Sequence, residues 1–481
     1  MEMFDAILEK MDEIVWGIPT IVLILATGLI LTIRTKGMQF RYLGRAFRSI
    51  FKESAEGKGE VSSFGALCTA LSATIGTGNI VGVATAISTG GPGALFWMWF
   101  AAFLGIATKY AECMLSVHFR ETKADGHILG GPFYTIEKGL GKNWKWLAVL
   151  FAVFGVMSGV LGIGTITQVN GITSAVNDAM NPGNGHIAFS IGTNSYSWHT
   201  VISGFLVALA VALVIIGGLK RISKVAEFIV PAMAVIYVFL GLSVVLMNAT
   251  KLPEAFTVIF KSAFGVKAAA GGALGFVLSQ MIGAMQKGVA RGIFSNEAGL
   301  GSAPIAAASA KVDEPVEQGL VSMLGTFIDT IIICTMTGLA IVIAFYIGDG
   351  NGVGDLKGVA ITSGAFTRVL GGDGHSVQFL LMICLIFFAF TTILGWDYYS
   401  ERCLEYLTNG KMKLVMLYRI LYIVAVFIGP YLTVSEVWTI ADITNALMAI
   451  PNCVSLIALS GLTARMTKEF FKKYPTLEIY K

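Results

Sequence analysis

One long apolar segment of this 481-residue chain is interrupted in its middle by glycines and polar residues. Residues 62–88 are long enough to cross a bilayer, yet the middle of the segment, Ala73–Gly82, reads Ala-Thr-Ile-Gly-Thr-Gly-Asn-Ile-Val-Gly. Its glycines, threonines and asparagine predict that the helix opens there. Because lipid offers no partners to freed backbone groups, such an opening persists only around a cavity or a binding site. An interrupted membrane helix is the pattern expected at the substrate site of a transporter.

The composition is that of an integral membrane protein. Hydrophobic residues make up 55% of the chain and charged residues 13%, whereas a soluble domain carries about 25% charge. The six cysteines include no C-x-x-C pair. We therefore expect buried thiols rather than disulfides or metal ligands.

Apolar windows of about 20 residues predict the membrane spans. There are eleven, at 14–33, 62–88, 94–118, 146–178, 200–219, 224–248, 268–294, 318–346, 376–396, 414–431 and 437–463. The acidic N-terminus argues against a secretory signal, so we expect span 14–33 to be retained. Loop 34–61 is rich in basic residues, namely Arg34, Lys36, Arg41, Arg45, Arg48, Lys52 and Lys58. By the positive-inside rule the N-terminus is external and the C-terminus cytoplasmic.

Residues 38–52 have the pattern of an amphipathic helix. Phe40, Leu43 and Phe47 fall on one side, and Arg41 and Arg45 on the other. We expect this helix to lie on the anionic inner leaflet. A basic patch that binds another protein is the alternative.

A second interrupted span lies five helices after the first. It covers 268–294 and is rich in small and polar residues, namely Gly271, Gly272, Gly275, Ser279, Gln280, Gly283 and Gln286. This separation predicts two inverted repeats of five helices, each beginning with a broken helix. We accordingly divide the chain into a helix plus an amphipathic segment at 1–60, repeats at 61–250 and 251–465, and a cytoplasmic tail at 466–481. The predicted fold is an all-α membrane protein with about eleven transmembrane helices.

The opening at Gly76–Asn79 suits a zwitterion. The second half-helix begins with free N–H groups and roughly half a positive charge, so the amides of Gly76, Thr77 and Gly78 can hold a carboxylate. Carbonyls freed on the first half can face an ammonium group or Na⁺. A packing helix kinked by glycine is the alternative.

Other polar residues lie within predicted spans. Thr391 and Thr392, with the Phe388 carbonyl, suit an oxygen cage for a hard cation, although membrane threonines often bond their own helix. Gln168 and Asn170 are either pocket groups or the external end of their span. Asp329 and Asp442 are functional acids or members of structural ion pairs.

The chain resembles the alanine or glycine:cation symporter family. The strongest match is Gly90–Trp99, which reads Gly-Gly-Pro-Gly-Ala-Leu-Phe-Trp-Met-Trp. Ala73–Gly82 and the run Phe294–Ala306 are also similar to motifs of that family, and the resemblance covers nearly the whole chain. It implies the leucine-transporter fold, in which substrate and Na⁺ bind at the broken first and sixth core helices.

The resemblance also implies roles for individual residues. The Thr74 carbonyl and Asn79 would lie near the substrate or a first sodium. The second sodium site would be built from Ser72, Ile75, Phe388, Thr391 and Thr392. The sixth core helix would open around Phe276, Ser279, Gln280, Met281 and Gly283. Amine transporters of this fold often place an arginine where Gly82 stands, and that arginine pairs with an acid of the tenth core helix. The external gate of this chain must therefore be built differently, which leaves the role of Asp442 open. The role of Glu297 is also open.

We therefore expect a Na⁺-coupled symporter in the cell membrane that imports alanine, and probably glycine, by alternating access. A proton-coupled amino-acid permease of the same fold is the first alternative, and an ion channel is the second. The five histidines form no H-E-x-x-H motif, which disfavours a membrane enzyme. We expect no cofactor other than the coupling ion Na⁺ and no nucleic-acid partner, and the sequence does not fix the oligomeric state.

Overall fold

The computed structural model describes residues 2–51, 58–181, 185–191, 194–265, 274–348, 350, 352–371, 374–432 and 434–475. The chain is almost entirely helical. Its α-helices are Glu2–Val15, Ile18–Arg34, Met38–Arg41, Leu43–Ser49, Ser63–Thr74, Val83–Gly90, Gly93–Phe119, Pro132–Gly139, Lys145–Leu161, Ile166–Met180, Trp198–Ile215, Gly218–Met247, Leu252–Ala263, Leu274–Asn296, Ala303–Ala307, Pro315–Thr326, Thr335–Val342, Val359–Leu370, Gly374–Leu407, Met412–Ile428, Val434–Ala458 and Ser460–Lys473.

Wider π-type turns and short 3-10 turns connect several of these helices. The π-helical segments are Gly78–Gly82, Phe327–Cys334 and Ile343–Gly348, and the 3-10 turns are Lys142–Trp144, Ala249–Lys251 and Gly429–Tyr431. Two antiparallel hairpins complete the described chain. They pair β1 (Glu121–Thr122) with β2 (Ile128–Leu129) and β3 (Ile187–Ile191) with β4 (Asn194–Ser197).

The predicted spans agree with the helices. Within the described residues, 9 helices are long and apolar enough to cross a membrane, or up to 10 if the bent pair Ser63–Thr74 and Gly78–Gly90 is one span. These candidates coincide with all the predicted spans except 268–294. That span falls partly outside the described residues, so the total number of spans stays a prediction.

The helix Gly93–Phe119 lies at the centre of the molecule. It packs against Leu274–Asn296 on one side and Pro315–Thr326 on the other, and its second half is almost completely buried. Ser63–Thr74 packs against Gly218–Met247 and Gly374–Leu407. The broken first core helix is therefore enclosed by protein rather than by lipid, as its polar residues require.

The predicted third core span, 146–178, is not one helix. It divides into Lys145–Leu161 and Ile166–Met180. Gly159, near the end of the first part, allows close packing, because a Cβ built on it would lie 2.5 Å from the Ser400 hydroxyl. The break that follows leaves the carbonyl of Gly164 free to accept a hydrogen bond from Tyr422 at 3.0 Å.

The amphipathic segment also differs from the prediction. It forms two short helices, Met38–Arg41 and Leu43–Ser49, separated at Tyr42. Phe40 and Phe51 are 65% and 77% exposed, as an apolar face in contact with lipid would be. Arg45 instead donates to the Tyr474 carbonyl at 2.9 Å, so part of the basic face packs on the C-terminal helix.

The β1–β2 hairpin carries a small cluster of charges. Burial works against ionisation of Glu121, but hydrogen bonds from Lys123, Lys138 and Tyr134 outweigh it and lower the pKa of Glu121 to about 2. Glu121 also forms ion pairs with both lysines, at 2.8 and 2.9 Å. The hairpin therefore remains charged over the physiological pH range.

Candidate functional site

The first core helix opens where the sequence predicts. The first half ends at Thr74, Ile75 is extended with φ −80° and ψ 95°, and the second half begins at Gly78. The two halves meet at 49°. Thr77 and Asn79 are completely buried. The break therefore lies inside the protein, with backbone groups that the helix itself does not satisfy.

Two amide side chains satisfy the freed N–H groups. Gly76 N–H donates to Asn79 Oδ1 at 2.9 Å, and Thr77 N–H donates to Gln168 Oε1 at 3.1 Å. Gln168 is held by its own donation to the Ile163 carbonyl at 2.9 Å, a carbonyl made available by the break in the third core helix. Both amides thus face neutral oxygen acceptors at the positions predicted for a carboxylate.

A buried carboxylate orients Asn79. Its Nδ2 donates to Asp329 Oδ1 at 2.6 Å, and Asp329 also accepts from Ser295 Oγ at 2.9 Å and Thr330 Oγ1 at 2.7 Å. Asp329 is 0% exposed. In the described part of the chain the groups that donate to Asp329 are neutral, so it joins the first, sixth and seventh core helices through hydrogen bonds rather than an ion pair.

The predicted opening of the sixth core helix is wrong in position. Leu274–Asn296 is continuous through Ser279, Gln280, Met281 and Gly283, and Ser279 and Gln280 are exposed. The side chain of Phe276 lies outside the described residues. Gly283 lies within this continuous helix and does not break it. A Cβ built on Gly283 would meet nothing within 4 Å. The binding roles predicted for these residues are therefore not supported by their placement.

The sixth core helix instead opens after Asn296. Glu297, Gly299 and Gly301 have φ of 56°, 95° and 81°, and the helix resumes at Ala303, with proline in its first turn. The left-handed backbone at these three residues, which alternate along the chain, ends the helix. Ser295 lies beside the first break, because a Cβ built on Gly78 would be 3.0 Å from its Cα. The two openings are therefore adjacent.

Glu297 connects this opening to the eighth core helix. Its carboxylate accepts from Trp396 Nε1 at 2.7 Å and from Ser302 Oγ at 2.6 Å, and it is fully buried. Trp396 lies one turn after Thr392. Glu297 has no assigned role among the predictions from the sequence, and neither Trp396 nor Ser295 is among the predicted site residues. The run that follows Ser295, Asn-Glu-Ala-Gly-Leu-Gly-Ser-Ala-Pro, signals the opening through its glycines and its proline, but it does not point to Trp396.

The predicted cation cage is assembled in part. Thr392 Oγ1 lies 3.3 Å from the Ile75 carbonyl and 3.0 Å from the Phe388 carbonyl. Thr391 and Ser72 donate within their own helices, to Phe388 at 3.0 Å and to Thr69 at 2.8 Å. Three oxygens from two helices therefore meet at Thr392.

Asn170 does not face the break. Its Nδ2 donates to the Leu432 carbonyl at 3.2 Å, and it lines a cavity of about 450 Å³ with Asn177 and Tyr196. Of the two alternatives for this residue, the structure favours the end of its span. The neighbouring Gly171 does serve the site, since a Cβ there would lie 2.6 Å from Thr77 Cγ2.

Asp442 belongs to an ion pair between the sixth and tenth core helices. Arg291 contacts both of its oxygens, at 2.9 and 2.7 Å, and stacks over Trp438 at 5.0 Å. Trp438 in turn packs on Phe294 at 4.8 Å between ring centroids. Arg291 is one turn before Ser295, so this pair lies directly beside the openings. The arginine that faces Asp442 thus comes from the sixth core helix.

The whole chain is similar to a family of known transporters. The model of the sodium:alanine symporter family matches residues 1–478. An uncharacterized transporter of Haemophilus influenzae is 50% identical over 98% of this chain and 96% of its own. The sodium/alanine symporter AgcS of Methanococcus maripaludis is 43% identical over 97% of each chain.

The fold has a counterpart of known structure. The crystal structure of MhsT in complex with L-phenylalanine superposes with a TM-score of 0.54 over 86% of this chain and 99% of that one, at 14% identity. A likeness at this identity concerns the fold alone. It confirms the expected leucine-transporter fold.

The ion pair of Arg291 and Asp442 provides a test of these contacts. Their side chains are 12% and 8% exposed, so Asp442→Asn leaves a buried guanidinium without its counter-charge. We expect a loss of about 3–5 kcal/mol in stability, measured by thermal unfolding in detergent. Glu314→Gln is the matched control, because its partner Lys473 is 61% exposed and such pairs contribute about 0–1 kcal/mol. Equal losses in the two variants would contradict this account.

Proposed function

The chain belongs to the sodium:alanine symporter family, and on that premise we propose that it imports a small neutral amino acid together with Na⁺. Alanine is the first candidate and glycine the second. The N-terminus is external in this proposal, the C-terminus is cytoplasmic, and residues 61–250 and 251–465 form the two inverted repeats. Like its relatives, the protein is a membrane transporter rather than an enzyme.

The observation that carries this proposal is the buried opening at Ile75–Asn79. The amides of Gly76 and Thr77 are already aligned on oxygen acceptors, and a substrate carboxylate would replace the Gln168 oxygen at Thr77. Thr77 Oγ1 is buried and, among the described residues, has no hydrogen-bond partner. A buried hydroxyl in that condition costs free energy, which a polar ligand at the opening would recover. The Thr74 carbonyl and Asn79 border the same space in the proposal.

Close packing around the opening supports a small side chain. A Cβ built on Gly76 would lie 2.5 Å from Thr392 Oγ1 and 2.9 Å from Gln168 Oε1. Thr77 is pressed against Gly171 on the other side. Little room remains for a bulky substrate, which favours alanine and glycine over larger amino acids.

Na⁺ is assigned to the oxygens that meet at Thr392. The Ile75 carbonyl belongs to the first broken helix and the Phe388 carbonyl to the eighth core helix, so a cation between them would hold the two helices together. Ser72 and Thr391 complete the proposed set, and their hydroxyls would have to leave the carbonyls of their own helices to contact the cation. Entry of Na⁺ with substrate would draw on the membrane potential, which supplies about 2.3 kcal/mol per charge per 100 mV.

Proton coupling is the second candidate, and Asp329 is the observation that favours it. This carboxylate contacts Asn79 in the site, and its described donors are neutral hydroxyl and amide groups. A buried acid in such surroundings can exchange a proton as the site changes its accessibility. Coupling through Asp329 would require a pH gradient, whereas coupling through Thr392 requires Na⁺.

Uptake of labelled alanine into proteoliposomes tests the proposal. We expect accumulation driven by an inward Na⁺ gradient, competition by unlabelled glycine, and weaker competition by glutamine and phenylalanine. A pH gradient without Na⁺ should give no accumulation. Accumulation on the pH gradient alone would show that uptake is coupled to protons rather than to Na⁺. No uptake under either gradient would contradict the proposed transport of alanine.

Thr392→Ala tests the cation assignment. The substitution removes one of the three oxygens that meet there, so we expect the Na⁺ concentration for half-maximal uptake to rise about tenfold, equivalent to about 1.4 kcal/mol. Thr408→Ala is the matched control, because Thr408 directly follows the helix that contains Thr392 and donates to the Leu404 carbonyl at the end of that helix. An unchanged Na⁺ dependence in Thr392→Ala would remove this residue from the cation site.

A further inference from the structure

Two extended segments lie side by side on the face of the molecule that the basic loops predict to be cytoplasmic. They are residues 58–61, which lead into the first core helix, and residues 309–312, which follow the second half of the sixth. Isolated bridges pair Lys58 with Val312 and Val61 with Ala310. We call these two segments the cytoplasmic clasp.

Backbone hydrogen bonds close the cytoplasmic clasp. Glu60 N–H donates to the Ser309 carbonyl at 2.8 Å, and Lys311 N–H donates to the Val61 carbonyl at 2.8 Å. Beneath them Ala66, Val117, Ala310 and Val312 form a small buried apolar cluster. The clasp is therefore a packed junction with paired backbone groups rather than a chance proximity of two loops.

One guanidinium holds both segments of the clasp. Arg120 follows the central helix Gly93–Phe119 and donates through one nitrogen to the carbonyls of Ala308 and Ala310, each at 2.7 Å. Its other terminal nitrogen donates to the Lys58 carbonyl. A charged, planar donor fork satisfies three carbonyls from two segments at once, which the single ammonium group of lysine cannot reproduce.

The β1–β2 hairpin strengthens the junction from the same side. Ile128 N–H donates to Glu60 Oε1 at 2.6 Å, so the hairpin also binds the segment before the first core helix. Two glycines permit the close approach. A Cβ on Gly59 would enter the backbone of Lys311, and one on Gly130 would meet the Arg120 Cβ at 3.0 Å.

The cytoplasmic clasp joins the inner ends of the two broken helices. Residue 62 caps the helix Ser63–Thr74, whose far end is the opening at Ile75. Residues 309–312 follow the helix Ala303–Ala307, whose far end is the opening at Glu297–Ser302. A substrate released toward this face must pass between those inner ends, so they have to separate first.

We infer that the cytoplasmic clasp is the inner gate of this transporter and that Arg120 is the positioning residue that keeps it closed. This inference rests on the proposed function. Opening would exchange hydrogen bonds within the clasp for bonds to water, because the two segments would face the cytoplasm once they had separated. The gate can therefore open and close without leaving a backbone group unpaired in lipid.

The accessibility of a buried reporter tests the role of Arg120. Ala66→Cys places a thiol in the apolar cluster under the clasp, against a background of six native cysteines that are all buried. In inside-out vesicles, adding Arg120→Lys should speed labelling of the reporter by a membrane-impermeant maleimide about fivefold or more. Arg221→Lys is the matched control, since Arg221 also donates to a carbonyl, that of Leu213 at 2.7 Å, but lies outside the clasp. An equal labelling rate in the two variants would overturn the inference.

A reversible cross-link gives a second test that does not depend on a destabilised variant. Lys58 and Val312 are paired in the clasp, so Lys58→Cys with Val312→Cys should form a disulfide under oxidation. The oxidised protein should bind labelled alanine with wild-type affinity, lose uptake, and recover uptake on reduction, whereas each single variant should be insensitive to oxidant. Full uptake by the cross-linked protein would overturn the inference. Failure of wild-type uptake would instead count against the proposed function, so the two failures are distinguishable.

Discussion

Backbone groups freed at membrane depth need partners within the protein, and this constraint determines the arrangement around Gly76–Asn79. Asn79 and Gln168 accept from the two amides that the break frees, and Thr392 contacts the freed carbonyl of Ile75. Each partner comes with its own support, since Asp329 orients Asn79 and a break in the third core helix frees the carbonyl that holds Gln168. The opening is thus stable without a ligand, yet built from bonds that a ligand can replace.

The two broken helices depend on each other. Ser295 and Asp329 connect the last turn before the sixth-helix opening to Asn79 in the first, while Glu297 connects that opening to Trp396. On one side of the openings the ion pair of Arg291 and Asp442 crosses between helices, and on the other the cytoplasmic clasp joins their inner ends. The contacts at the centre are therefore continuous with those at both ends of the broken helices.

The features that depend on local composition could be predicted from the sequence. Apolar windows located the spans, and glycine, threonine and asparagine within Ala73–Gly82 located the first opening. The predicted position of the sixth-helix opening is wrong because glycines such as Gly283 lie inside the helix Leu274–Asn296 without breaking it, whereas Glu297, Gly299 and Gly301 break it through left-handed backbone. The partnerships of Gln168, Arg291 and Trp396 were not predictable, since each joins residues that are distant in the chain and depends on how the helices pack.

Binding at the first opening is the central claim, and equilibrium binding of labelled alanine to the purified protein in Na⁺ tests it most directly. A Cβ on Gly78 meets Ser295 and Phe294 at 3.0–3.4 Å, whereas one on Gly82 meets nothing within 4 Å. The account predicts that Gly78→Val abolishes binding while the protein still inserts and that Gly82→Val, the same substitution one turn away, retains it. Equal alanine affinity in the two variants would contradict the claim that the opening is the site.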